Sequence, residues 1–227
     1  MVCVPLYPSR LVDMNHKFEI LWPMAIPIVK AYYKGDLTEL RKDRNFLPQY
    51  THKTLNTVLD VHTQEGIDKL RVLERHPEVR DHIEKLFNEI AADCYSHNYD
   101  FQITTSWITT LKKGDYIAPH RHNNNMWSGI LYQDPDYTDV QPLNFLNPFR
   151  EHSVFDIKPF EPFNQFTGNF TIHPEPGLLL FWPAWLTHCS DAVQSGCRRS
   201  LAFNFFPKGI FGEGDNSMNL SWFNDRE

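Results

Sequence analysis

Six short apolar runs, each closed by turn-forming residues, fill the second half of the chain: FQITTSWITTL from Phe101, then DYIAPHRH, MWSGILYQ, NFTIHP, GLLLFWP and RSLAFNFFP. Runs this short, rich in β-branched and aromatic residues, make strands, and their spacing suits an antiparallel sandwich or barrel. Two connections richer in Pro, Asp and Asn, Asp134 to Asp139 and Asn147 to Gln165, read as long loops at a mouth, where function concentrates.

The first half has a different period. Between Asp60 and Tyr95, Ile67, Leu70, Leu73, Val79, Ile83, Leu86, Phe87 and Ile90 recur mostly every three or four residues, which predicts helix. Pro77 fits the first turn of a second helix, so the stretch divides there. Pro23 and Pro27 restrict FEILWPMAIPIVKAYY to an extended or edge role, leading toward a helix. The expected organisation is one domain over residues 1–227: a helical part to about residue 100, a β core over 101–208, and a Gly- and Asn-rich tail over 209–227 in which Trp222 and Phe223 could dock.

Composition narrows the class. The 227 residues include 17 Phe, 9 Tyr and 6 Trp, enough apolar surface to offset ordering entropy and exclude intrinsic disorder. A formal net charge of -6 argues against nucleic acid as the main partner. No apolar segment is long enough to span a membrane, and MVCVPLYPSRLVDMNHKF lacks the apolar stretch of a signal peptide. Cys3, Cys94, Cys189 and Cys197 form no CxxC and read as reduced thiols of a cytoplasmic protein, with a Cys189–Cys197 pairing left open.

Of the 11 histidines, His16, His52, His62, His76, His82, His97, His152 and His173 read as surface or capping residues. His120 and His122 are two apart in a stretch of strand character, and period-two geometry puts both rings on one face, within reach of one metal ion. An H-x-H alone is a weak signal, and the following NNN equally suits a polar loop. Two further residues add to it. His188 leaves one apolar strand and Arg198 enters the next, so antiparallel neighbours would turn both toward one cavity. Arginine offers a planar fork that grips a carboxylate.

Taken in order, H-x-H, SGILYQ, PGLLLFWPAWLTH and RRSLAFN resemble the 2-oxoglutarate- and Fe(II)-dependent oxygenase superfamily, with the likeness strongest from Trp107 to Phe206. It is similar above all to the oxygenase group with an H-x-H…H…R-x-S motif. The resemblance implies a mainly β fold with flanking helices, a double-stranded β-helix of the jelly-roll, cupin-like kind. It implies Fe(II) on His120, His122 and His188, and 2-oxoglutarate held by Arg198, assisted by Ser200 two residues on. Tyr132 is a further candidate contact to the cosubstrate, and Asn204 could face the cavity. The implied activity is hydroxylation with release of succinate and CO2.

His122 stands where the superfamily has an acid, although the H-x-H group shares the change. Two histidines and a carboxylate leave a ferrous centre at about +1, whereas three neutral histidines leave it at about +2. Asp134 and Asp136 are fallback carboxylates. The barrel walls expected to line the site are Leu179, Phe181, Phe203 and Phe205. Substrate class stays open between small molecules and peptidyl groups, with Phe155, Phe160 and Phe163 of the second loop as candidate contacts. Two other functions share these motifs: a non-catalytic jelly-roll binding module, and a cupin-like three-histidine metalloenzyme that does not use 2-oxoglutarate.

Overall fold

A computed structural model describes residues 19–20, 27–44, 63–95, 99–137, 140–148 and 169–220. Its strands are β1 (Glu19–Ile20), β2 (Val29–Tyr32), β3 (Phe101–Lys112), β4 (Ile117–His120), β5 (Trp127–Leu131), β6 (Leu143–Phe145), β7 (Phe170–Ile172), β8 (Leu178–Pro183), β9 (His188–Ser190), β10 (Cys197–Pro207), β11 (Ile210–Phe211) and β12 (Met218–Asn219). The helices are α1 (Thr38–Lys42), α2 (Gln64–Leu70) and α3 (Pro77–Tyr95), with a 3-10 turn at Val72–Arg75.

Two antiparallel sheets form the centre. One has six strands in the order β1-β2-β8-β5-β10-β3, the other four in the order β4-β9-β6-β7, and β11 pairs with β12 alone. From β3 to β10 the chain alternates between the two large sheets, with β6 and β7 consecutive in the smaller one. That winding is a jelly roll, so the expected double-stranded β-helix is the fold observed. All six predicted runs contain strands. Four were not expected: β6 and β9, each only three residues long and too short to show alternation, and the two-residue β11 and β12.

Strand alternation gives the six-stranded sheet two different faces. Leu179, Phe181, Leu201, Phe203 and Phe205 point to one side, where they share a core with Val72, Leu73, Val79, Ile83, Leu86, Phe87 and Ile90 of the helical layer. Leu178, Leu180, Trp182, Ile130 and Tyr132 point to the other, where they meet Leu143, Phe145 and Ile172 of the smaller sheet. The expected walls, Leu179, Phe181, Phe203 and Phe205, are therefore on the wrong face. They anchor the helices, and the next residues along each strand line the space between the sheets. Both faces are buried, so hydropathy could not distinguish them.

The helices form as their period predicts. Pro77 opens α3, where its missing N–H costs nothing. Thr63 caps α2, its side chain accepting from the Gly66 N–H at 3.1 Å. Helix α3 also closes the outer edge of β3. The Asn88 side chain accepts from the Phe101 N–H at 2.7 Å and donates to the Phe101 carbonyl at 3.0 Å, and Glu84 accepts from the Ile103 N–H at 2.8 Å. Backbone groups on a sheet edge are thus satisfied by side chains rather than left open to another strand. Between β5 and β10 the chains come close at Gly129, where an added Cβ would lie 2.2 Å from the Phe203 ring and 2.8 Å from the Leu180 carbonyl oxygen.

Of the Pro-rich N-terminal segment, Val29 to Tyr32 is extended as expected, and the two-residue β1 forms the sheet edge. Cys189 and Cys197 are unpaired. Among the described residues no helix is long and apolar enough to cross a membrane. Phe155, Phe160, Phe163, Trp222 and Phe223 lie outside the described residues.

Phe87 joins helix to sheet. Its ring stacks on Phe205 at 4.2 Å and contacts Phe101, Trp127 and Phe181 at 5.3 to 5.5 Å. Phe87→Ala leaves a fully enclosed void and should cost about 3–5 kcal/mol, read as a lower urea midpoint with an unchanged denaturant slope.

Candidate metal centre

The smaller sheet sets two of the three histidines. β4 and β9 are antiparallel, and His120 lies directly opposite His188. The ring centroids of this cross-strand pair are 4.3 Å apart. Pro119 precedes His120 on β4, an edge strand that tolerates the missing donor. His122 lies beyond the end of β4. Its N–H donates to the Ala184 carbonyl at 2.9 Å, and the Ala184 N–H donates to the Met126 carbonyl at 2.9 Å. This ties the His122 loop to the turn after β8 and brings its ring to 5.1 Å from His120 and 5.2 Å from His188. One ligand atom from each of the three lies within 4.8 Å of the others.

The histidines meet, but not by the route expected from sequence. The strand stops at His120, so turn geometry rather than period two delivers His122. His188 opens β9 of the small sheet, whereas Arg198 lies on β10 of the large one, paired with β3 and β5. These two strands face each other across the barrel instead of sharing hydrogen bonds.

Hydrogen bonds select the usable ring nitrogens. Nδ1 of His120 is 2.9 Å from the Ala118 carbonyl, and Nδ1 of His188 is 3.0 Å from the Leu186 carbonyl. A carbonyl only accepts, so each Nδ1 carries the proton and each Nε2 keeps a free lone pair. Burial pushes all three rings toward neutrality. It lowers the pKa of His120 and takes His188 well below its ordinary value, with the His120 charge and then that of His122 and Arg198 adding to the effect at His188. His122 is lowered to about 4 by burial and by His120. Three neutral imidazoles converging on one point make a nitrogen donor set for a divalent transition metal.

Aromatic rings pack around this cluster. Trp107 stacks on His122 at 5.5 Å, and Trp182 meets His188 edge-on at 4.9 Å. Trp182 carried no signal as a site residue in the sequence, since it sits inside an apolar strand. The only group of potential ligands among the described residues is His120, His122 and His188, with no carboxylate. Asp134 is engaged elsewhere: its Oδ1 accepts from Arg199 Nη2 at 2.7 Å and Nε at 3.1 Å.

Arg198 is 1% exposed and sits on the inter-sheet side of β10. Its Nη2 donates to the Tyr132 hydroxyl at 2.9 Å, and the guanidinium lies 5.5 Å from that ring's centre. Its Nε and Nη1 are buried and have no hydrogen-bond partner. Leaving charged donors buried and unmade is expensive. Each free donor shares an edge of the guanidinium with Nη2, and an edge of this kind grips a carboxylate. Ser200, also buried, follows two residues on along the same face. Tyr132 is thus directly joined to Arg198, and Ser200 shares its side of the strand.

Comparison with known proteins agrees with the motifs. Residues 105–204 match the model of the family described as "Putative 2OG-Fe(II) oxygenase", so the resemblance drawn from sequence is borne out over that segment. No curated protein matches the chain. Among solved structures, HygX from Streptomyces hygroscopicus with iron bound is similar at 11% identity and a TM-score of 0.44, over 79% of this chain and 82% of that one. The viral collagen prolyl hydroxylase from Paramecium Bursaria Chlorella virus-1, in its 2OG complex, is similar at 17% identity and a TM-score of 0.39, over 56% of this chain and 72% of that one. A 2OG-Fe(II) oxygenase family oxidoreductase from Burkholderia pseudomallei aligns at 13% identity and a TM-score of 0.39, over 54% of this chain and only 56% of its own length. The three-histidine cluster and the open carboxylate grip of Arg198 fit Fe(II) and 2-oxoglutarate, the groups this family uses.

The three depressed histidine pKa values set an acid limit on the metal-free protein. Their folded pKa values are depressed, so the unfolded chain takes up protons that the folded chain refuses. Stability is full above the ordinary value of 6.5 and falls as pH drops toward about 4, the folded value at His122. Urea unfolding of metal-free protein across that window should show a falling midpoint, with a shallower fall in His122→Phe.

Proposed function

We propose that the chain is a non-haem Fe(II)- and 2-oxoglutarate-dependent dioxygenase that hydroxylates a small-molecule or peptidyl substrate and releases succinate and CO2. The observation that carries this is the buried, half-satisfied guanidinium of Arg198, on the inter-sheet side of the barrel that also holds the three histidines. A module that only kept the barrel has no use for two unmade charged donors. A three-histidine oxygenase working without a 2-oxo acid has none either.

His120, His122 and His188 would hold the metal, with Nε2 of His120 and His188 presented by the carbonyls of Ala118 and Leu186. Arg198 would bind the distal carboxylate of 2-oxoglutarate through a donor it leaves free, while Tyr132 holds its Nη2 and stops the fork from turning. Ser200 would add a hydroxyl contact. When bound, ferrous iron and 2-oxoglutarate supply oxidative decarboxylation coupled to hydroxylation of an unactivated C–H bond. The protein's part is to fix the cosubstrate's orientation and keep water from the reacting atoms. Trp107, Trp182 and Phe145 serve the second task.

On the same proposal, residues 1–227 act as one domain, with helices outside the β-helix. The free thiols of Cys189 and Cys197 suit a cytoplasmic setting.

Anaerobic addition of Fe(II) and 2-oxoglutarate should produce a broad charge-transfer band near about 500 nm, as a chelated 2-oxo acid on ferrous iron gives. Iron binding without the band would favour chemistry that does not use 2-oxoglutarate. His188→Ala should abolish metal binding. Arg198→Ala should keep the metal but weaken 2-oxoglutarate by at least about thirtyfold, the loss expected for removing one partner of a buried charged pair.

A further inference from the structure

Arg198 is not alone in leaving a donor unmade inside the barrel. Trp182 of β8 is 2% exposed, and its indole Nε1 is buried without a hydrogen-bond partner. Its ring faces the space between the sheets, edge-on to Phe145 at 5.3 Å and to His188 at 4.9 Å. An indole N–H donates and cannot accept, and a buried one usually finds an acceptor. Phe145 has no acceptor to give. Nδ1 of His188 is engaged with the Leu186 carbonyl, so the indole borders the ring whose Nε2 is presented to a metal. The two unmade donors lie at different levels of the barrel. Trp182 is opposite Ser128, and Ser128 is opposite Asn204, six residues along β10 from Arg198. That separation is about 20 Å of strand, too far for one carboxylate to answer both side chains.

We propose that the Trp182 N–H donates to the metal-binding end of the 2-oxo acid, at the carboxylate next to the 2-oxo group, while Arg198 takes the far carboxylate. This rests on the 2-oxoglutarate reading of the site. Whatever meets the N–H must enter the barrel, sit beside His188 and carry a lone pair. A carboxylate oxygen held at the metal meets all three conditions, because it keeps lone pairs after coordination. The indole suits the place in two ways. It is neutral, so it stabilises an anion without adding charge to a centre already at +2. It is rigid, so few rotamers are lost when the bond forms. A charged acceptor makes that bond stronger than a neutral one would. Trp182 thereby selects for a 2-oxo acid whatever its tail, and Arg198 selects the tail.

The test titrates the anaerobic Fe(II)-loaded whole chain with two probes, 2-oxoglutarate and pyruvate, read by the charge-transfer band. Pyruvate keeps the carboxylate next to the 2-oxo group and lacks the distal one. Trp182→Phe keeps an aromatic ring and removes the N–H. It should weaken both acids by the same factor, about ten- to a hundredfold, the loss of a hydrogen bond to a charged group. Arg198→Ala should weaken 2-oxoglutarate and spare pyruvate. Fe(II) affinity of Trp182→Phe, by chelator competition without either acid, should stay close to native. Equal losses of Fe(II) and acid would mean packing alone and overturn the proposal. Native affinity for both acids overturns it too, as does a loss confined to 2-oxoglutarate. A second measurement needs only the variant's spectrum for assignment. In native protein loaded with Zn(II), either acid should move the Trp182 indole N–H proton signal downfield, and an unmoved signal overturns the proposal. Native protein that binds Fe(II) but gives no band with either acid instead overturns the 2-oxoglutarate reading beneath it.

Discussion

β10 is the strand on which the rest depends. It is hydrogen-bonded on both edges, to β3 and β5, and buried on both faces. Successive residues point in opposite directions, so it must satisfy two environments at once. Leu201, Phe203 and Phe205 bind the helical layer. Arg198, Ser200 and Asn204 face the barrel interior as buried polar groups. A one-residue slip would drive the arginine into the Phe87 cluster and the phenylalanines into the site. The same alternation that fixes the core therefore fixes the register of the functional side chains.

That constraint explains which features could be read in advance. The β-rich half, the break at Pro77, the three histidines and Arg198 were visible as patterns of residue type and order. The faces were not. In GLLLFWP every residue is buried, and in SLAFNFF all but Ala202 and Phe206 are, so periodicity gives no inside or outside. Leu179, Phe181, Phe203 and Phe205 were consequently assigned to the cavity they turn away from. The pairing of His120 with His188 was equally hidden, because β9 is three residues long and its register is set by distant strands. Ser128 donates to the Asn204 side chain across one strand pair and Asn204 donates to Thr105 across the other, and no local signal encodes either bond.

Charge balance ties the two ends of the site together. Three neutral imidazoles leave a divalent ion at +2, and Arg198 adds a further positive group nearby. Among the described residues no carboxylate joins the histidine group to offset them. Burial depresses the pKa values of all three histidines in the metal-free protein, and neighbouring positive charge adds to it at His122 and His188. A dianionic ligand that bridges metal and guanidinium would relieve the excess charge at both ends. On the proposed assignment, an anion rather than a neutral molecule completes the site.

The surroundings of His122 show why a histidine suits the position of an acid. Its ring lies parallel to Trp107, at 20°, and close to parallel to His188, at 18°. A flat, neutral imidazole fills such a slot and keeps a donor for the metal. A carboxylate there would lose its hydration to the indole face and regain it only through the metal, at a steep cost in the metal-free protein. The exchange leaves the centre more positive, which is the condition that favours a doubly charged cosubstrate.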